Sequence, residues 1–145
     1  MTATTQSYAT HRRVFPLYHL FALPIFLANV LVTLAIAVRH PSFWNAWVVV
    51  VALGLVGGAV ANRASTLIVQ NRVIGLEMRL RLAAVLPAEL RSRITELHLK
   101  QLVGLRYAGD DELAALVERC LRGELPTADA VKRAVRHWRP DYVRA

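Results

Sequence analysis

The stretch Asn62–Leu82, NRASTLIVQNRVIGLEMRLRL, begins where a long apolar run stops and stays half apolar while gaining Arg63, Arg72, Arg79 and Arg81. Three roles compete for it: a nucleic-acid-binding stripe, a helix leaving a membrane, or the stalk of a soluble domain. At helical spacing, Val69, Val73, Leu76 and Leu80 share one face, and Leu67, Ile74, Met78 and Leu82 an adjoining one. Arg72 and Arg79 occupy a narrower polar strip, and Glu77 stands i,i+4 from Arg81. A DNA-reading helix would carry a wider basic face with polar side chains aimed at base edges. This helix is apolar over most of its circumference and must be covered. It reads as a stalk whose arginines meet headgroups near Arg63 and whose apolar faces are packed by the chain that follows.

The residues before it support that reading. Phe15–Val38, FPLYHLFALPIFLANVLVTLAIAV, is almost uncharged and long enough for the roughly 20 apolar residues that cross a bilayer. Pro16 suits a helix start, whereas Pro24 removes a backbone bond deeper in and predicts a bend. Phe43–Ala61, FWNAWVVVVALGLVGGAVA, is a second run near the short end for a span, with Trp44 and Trp47 at its start as interfacial indoles. The short link RHPSFWN forces antiparallel helices. Cleavage after the small-residue pattern Ala35–Ala37 would make the first run a signal peptide. Its length and the second run directly behind it favour a retained span.

Charge placement sets the expected orientation. The net charge of +8 and a sequence pI near 10.8 admit a nucleic-acid partner in principle. Arg12 and Arg13 precede the first run, Arg39 lies between the runs, and fifteen of the 18 Lys and Arg follow the second together with all ten acidic residues. Cytoplasmic flanks are enriched in Lys and Arg, so topology already accounts for the bias, and both termini are expected in the cytoplasm. The 55% hydrophobic content and mean hydropathy of +0.36 exceed soluble-domain norms of about 45–50% apolar.

The chain therefore divides into a cytoplasmic flank (1–14), transmembrane helix 1 (15–38), an external turn (39–45), transmembrane helix 2 (46–62), a stalk continuous with it (63–86) and a cytoplasmic helical domain (87–145). The expected fold is all-α: a two-helix transmembrane hairpin followed by a small cytoplasmic α-helical domain. Arg12, Arg13, Trp44, Trp47, Arg63 and Arg72 are the expected membrane-interface residues. Gly54, Gly57 and Gly58 form a small-residue face that admits close helix approach, either to the chain's own first helix or to another copy. Asn29, the one strongly polar side chain deep in the first span, reads as interhelical glue.

In the tail, Pro87 breaks the stalk and opens PAELRSRI. ITELHLKQLVGLRYAG follows, with Glu96 and Lys100 at i,i+4 and Gly109 as a C-cap. Asp110 is an N-cap for DELAALVERCLRG, with Asp111 and Glu112 in its first turn and Gly123 ending it. Pro126 and Thr127 introduce ADAVKRAVRHWRP, whose apolar face (Val131, Ala134, Val135, Trp138) either completes a core or lies on the inner leaflet. In the second case Lys132, Arg136 and Arg139 would meet anionic lipid beside Trp138.

No catalytic, cofactor-binding or metal-binding constellation stands out. HExxH, P-loop, GxSxG and dinucleotide fingerprints are missing, and the five histidines have no i,i+4 His or Cys partner. The single cysteine, Cys120, reads as a buried small hydrophobe. The expectation is a non-enzymatic membrane protein that needs no cofactor or small-molecule substrate and uses its basic helical domain for self-association, lipid contact or a membrane-protein partner. An accessory subunit of a transporter is the alternative.

The segments THRRVFPLYHLFALPI, VIGLEMRLRL, ELHLKQLVGLRYAGDDEL and VKRAVRHWRPDYVRA resemble a family of small two-span bacterial membrane proteins known only as a domain of unknown function. The resemblance covers nearly the whole chain, EMRLRL and LKQLVGLRYAGDDEL being its most distinctive parts. It implies a bacterial inner-membrane protein and carries over no substrate, cofactor or catalytic residue.

Overall fold

The computed structural model describes Tyr8 and residues 15–141. Arg12 and Arg13 lie outside the described residues. The chain is all-helical, with 76% helix and no strands among those residues. Its elements are a π-helical turn Leu17–Ala22, then α1 (Leu23–Arg39), α2 (Phe43–Val85), α3 (Ala88–Arg91), a 3-10 turn Ile94–Glu96, α4 (Leu99–Leu105), α5 (Leu113–Leu121) and α6 (Ala128–Ala134). They fall into two compact units: residues 15–67, and Tyr8 with residues 68–141. Helix α2 contributes to both.

In the first unit, Leu17–Arg39 and α2 are each long and apolar enough to cross a membrane. Pro24 acts through the turn before it. Its ring would collide with the carbonyl four residues back, and the wider Leu17–Ala22 turn gives room, with the Leu23 N–H bonding Tyr18 O instead. Helix α2 starts at Phe43, three residues before the expected boundary, because Ser42 caps it. The Ser42 hydroxyl accepts the Asn45 N–H at 3.1 Å, and Asn45 Nδ2 donates to His40 O at 2.6 Å across the link.

The shielded positions of this unit form one stripe on each helix, through Phe26, Val30, Thr33 and Ala37 on α1 and Asn45, Val49, Ala52 and Val56 on α2. Thr33 and Ala52 are the two buried residues. Thr33 satisfies its hydroxyl within its own helix, donating to Asn29 O at 2.8 Å. Two groups of expected packing residues lie away from the α1–α2 contact. The Asn29 side chain is exposed and bonds nothing among the described residues, so the buried polar position is Thr33, one turn on. A Cβ on Gly54, Gly57 or Gly58 would meet open space, so these glycines do not seat the chain's own first helix; they point away from the Ala52 stripe.

In the second unit a single core joins Ile74, Met78, Leu82 and Leu86 of α2 to Leu102 and Leu105 of α4, Leu113, Leu116, Val117 and Cys120 of α5, and Val131 of α6. Gly104 lets α4 and α6 touch: a Cβ there would lie 2.7 Å from Val131 Cβ and 2.9 Å from Ala128 O. Buried Gln101 spends its amide on the last turn of α5 and the chain after it, donating to Cys120 O at 3.2 Å and Leu125 O at 3.1 Å. Helix α5 ends in a Schellman motif, with Gly123 at φ 79° and Glu124 N–H donating to Arg119 O. Thr127 caps α6 by accepting the Ala130 N–H at 3.1 Å.

The tail covers only one of the stalk's two apolar faces. Ile74, Met78 and Leu82 are buried, while Val69, Val73, Leu76 and Leu80 are exposed. The segment ITELHLKQLVGLRYAG is not one helix either. His98 starts α4 afresh, and Glu96 pairs with Arg93 at 2.8 Å rather than with Lys100.

Candidate functional site

The densest polar construction in the second unit joins the loop Gly109–Glu112 to the extended segment Val135–Asp141. Asp110, Asp111 and Glu112 read in sequence as helix-capping residues, yet α5 begins at Leu113 with no side-chain cap. Each carboxylate instead holds a different tertiary partner. Asp110 takes Arg81, whose Nε and Nη2 donate at 2.8 and 2.6 Å. Asp111 pairs with His137 Nδ1. Glu112 accepts the backbone N–H groups of Arg136 at 3.0 Å and His137 at 3.1 Å.

These bonds explain why the last helix is shorter than its periodicity predicts. Helix α6 stops at Ala134, and Val135 turns to extended backbone (ψ 127°). The N–H groups that would continue the helix go to Glu112, and Gly109 N–H donates to His137 O at 2.8 Å. Gly109 is therefore no helix C-cap; a Cβ there would collide with Asp111 Oδ1 and crowd His137. Ala108 and Trp138 form an antiparallel bridge, and the Trp138 ring lies 4.9 Å from that of buried Tyr107.

Arg81 anchors the other side. Besides Asp110, its guanidinium donates to Ala108 O at 2.7 Å and Arg106 O at 3.3 Å, and not to Glu77 as the i,i+4 spacing suggested. Arg106 stacks 4.5 Å from the Tyr107 ring centroid, and its Nε lies 3.1 Å from Asp141. Arg81, Arg106, Arg139, Glu77 and Asp141 line a cleft of about 360 Å³ floored by Ile74 and Met78. Its carboxylates offset most of its cationic charge.

The expected lipid-contact set is not one helix face. Lys132 sits on α6 above the Tyr107 ring, Arg136 and Arg139 are exposed on the extended segment, and Trp138 is half buried against the core. Trp44 and Trp47 are exposed at the start of α2, Arg63 is half-buried, and Arg72 is exposed.

A second junction lies at α6. The Tyr8 hydroxyl donates to Asp129 at 2.8 Å and accepts from Arg133 Nε at 3.0 Å. Its hydrogen bond, ahead of the Arg133 charge, holds the Asp129 carboxyl below the usual aspartate range. Burial pushes the Cys120 thiol up to about 11, which keeps it un-ionised and unreactive at neutral pH. No group of three or more His, Cys, Asp or Glu among the described residues could hold a metal ion.

The model of a family of unknown function, DUF6526, matches residues 1–145. No curated protein and no solved structure matches the chain.

Proposed function

We propose, from the premise that the chain belongs to this family of unknown function, that it is a non-enzymatic protein of the bacterial inner membrane. In this reading Leu17–Arg39 and the first half of α2 form a transmembrane hairpin with both termini cytoplasmic. The remainder is a basic helical module at the inner leaflet, available for self-association, lipid contact or partner binding. One observation carries the reading: the apolar side chains of both long helices are uncovered, with Leu31 68%, Val38 74%, Val50 56% and Leu53 55% exposed. Water-soluble proteins rarely leave so extended an apolar surface bare, whereas lipid solvates it. The Tyr8 contact with α6 supports a shared side for the two ends, since Tyr8 precedes the first apolar helix and α6 follows the second.

Alkaline carbonate extraction and cysteine labelling test it. In a Cys120→Ala background the protein should stay with the membrane pellet. Ser42→Cys should react with an impermeant thiol reagent on intact cells, and a cysteine at Ala115 should react only after lysis. Release by carbonate, or the reverse labelling pattern, overturns the reading.

The alternative, a small subunit of a membrane transporter, draws on the open space beside Gly54, Gly57 and Gly58, where a partner helix would fit. Leu substitutions at Gly54 and Gly58 that leave every assembly intact would remove it.

A further inference from the structure

The uncovered face of the stalk has the pattern of a coiled-coil seam. Val69, Val73, Leu76 and Leu80 follow one another at steps of four, three and four, and are 61%, 47%, 61% and 74% exposed. At about 100° per residue they form a narrow stripe on the side of α2 opposite Ile74, Met78 and Leu82, so the two apolar faces lie back to back rather than adjoining. The domain core thus takes one side of the helix and leaves the seam free. In heptad terms Val73 and Leu80 are a positions, and Val69 and Leu76 are d positions. Val73 at a followed by Leu76 at d is the arrangement that two parallel strands prefer, while Val69 at d and Leu80 at a reverse it, so the flanking charges decide the pairing.

The flanks identify the occupant. Arg72 and Arg79 fall at g and Glu77 at e; all three are exposed and make no ion pair among the described residues. In a parallel pair, g of one helix meets e of the next heptad on its partner, five residues on, so Arg72 meets Glu77 of a second copy twice by symmetry. An antiparallel pair would set g against g and bring arginines together. A carboxylate beside the stripe also disfavours burial in lipid or against an anionic leaflet.

We infer that α2 zips onto α2 of a second copy of this chain as a parallel two-stranded coiled coil through Val69, Val73, Leu76 and Leu80, held in register by Arg72–Glu77 pairs. The parallel direction rests on the membrane reading above, because copies inserted with one topology present their stalks the same way up. Two heptads form a short zipper, and confinement of the anchors supplies the local concentration that makes it close.

Disulfide trapping in membranes of cells expressing the full Cys120→Ala chain tests this. Val73→Cys and Leu76→Cys should give oxidant-induced dimers, and Ala115→Cys, exposed on α5, should not. On the Leu76→Cys background, Arg72→Glu alone and Glu77→Arg alone should each lower the dimer yield about threefold or more. The double exchange should restore it, which neither a folding defect nor lipid contact would produce. Leu80→Asp in the otherwise native chain should shift the detergent-solubilised protein from dimer to monomer in sedimentation. Equal trapping at positions 73, 76 and 115, or charge reversals without effect or rescue, would overturn the seam. So would quenching of labels at 73 and 76 by brominated lipid without any dimer, which would assign the stripe to the bilayer. Carbonate extraction of the same samples reports the anchoring separately: soluble protein that still traps at 73 and 76 leaves the seam standing and removes only the hairpin.

Discussion

Arg81 holds Asp110 through two nitrogens and, with the same guanidinium, two main-chain carbonyls of the Arg106–Ala108 turn. A residue on the long helix thereby fixes the loop that organises the end of the domain. The Arg81 side chain is 16% exposed and the Asp110 side chain 57%, so more of the value lies in the carbonyl contacts than in the exposed ion pair. Arg81→Ala should therefore destabilise the domain by about 2 kcal/mol, since it strands two acceptors, and Asp110→Asn by about 0.5. Arg81→Lys should rescue little because an ammonium cannot span the same acceptors. Urea titration of the detergent-solubilised chain, followed by circular dichroism, measures all three.

Two helical glycines should respond in opposite directions to a methyl group. At Gly75 the clash is with Leu99 Cδ1, the far end of a flexible side chain, whereas at Gly104 it is with Val131 Cβ and the Ala128 carbonyl. Gly75→Ala should be neutral to stabilising by about 0.5 kcal/mol, as helix propensity dominates. Gly104→Ala should cost about 1–2 kcal/mol despite the same propensity gain, because α6 must back away. Thermal midpoints of the two variants decide it.

Glu112 keeps α6 from running on. Glu112→Ala should release the N–H groups of Arg136 and His137, and Trp138 should leave its place on Tyr107. In a Trp44→Phe, Trp47→Phe background the Trp138 emission should shift to the red, and trypsin should cut after Arg136 sooner than in the parent. An unchanged spectrum would mean that the Tyr107 stack holds the segment alone.

The Asp111–His137 contact makes this end acid-sensitive. The hydrogen bond from His137 holds the Asp111 carboxyl below the usual aspartate range. A carboxylate depressed in the folded state contributes stability above its unfolded pKa and loses it as pH falls through the folded one. Between neutral pH and the ordinary aspartate range this contribution should be constant, and it should fall at lower pH. Both partners are exposed, so the effect is local. Proteolysis after Arg136 should accelerate below that range in the parent, and less so in Asp111→Asn.

Cys120 should be slow toward maleimide at pH 7 in the folded chain and fast once urea opens the core, because it is buried and its thiol is pushed up to about 11.

What was readable in the sequence is what local chemistry decides. The apolar runs, the break at Pro87, the Gly123 stop and the helix start after Pro126 and Thr127 each depend on residues within a few positions. The junction at Asp110–Glu112 was not readable, because three acidic residues before an apolar helix look the same whether they cap it or reach elsewhere. Glu112 finds its partner 25 residues away, and no spacing rule records that distance. The same bond explains why the periodicity through Trp138 misled: the pattern continues while the backbone donors are taken by another element. The stalk showed two apolar faces without indicating which one the tail would choose. The tail packs on the face that carries Ile74, Met78 and Leu82, with Leu99 against Gly75, contacts that only tertiary structure provides.

Pro24 has one further consequence. The wide turn ahead of it carries one residue more per revolution, so it works as a phase shifter for everything upstream. Replacing Pro24 with Ala should let Leu17–Ala22 tighten to ordinary pitch, swinging the side chains before it around the axis by about 100°. A spin label at Leu20, exposed in the structure, should then change its contact with a lipid-soluble relaxant, and an unchanged relaxation rate would mean that the turn keeps its pitch without the proline. The proline thus acts as an azimuthal setting for the entry of the chain.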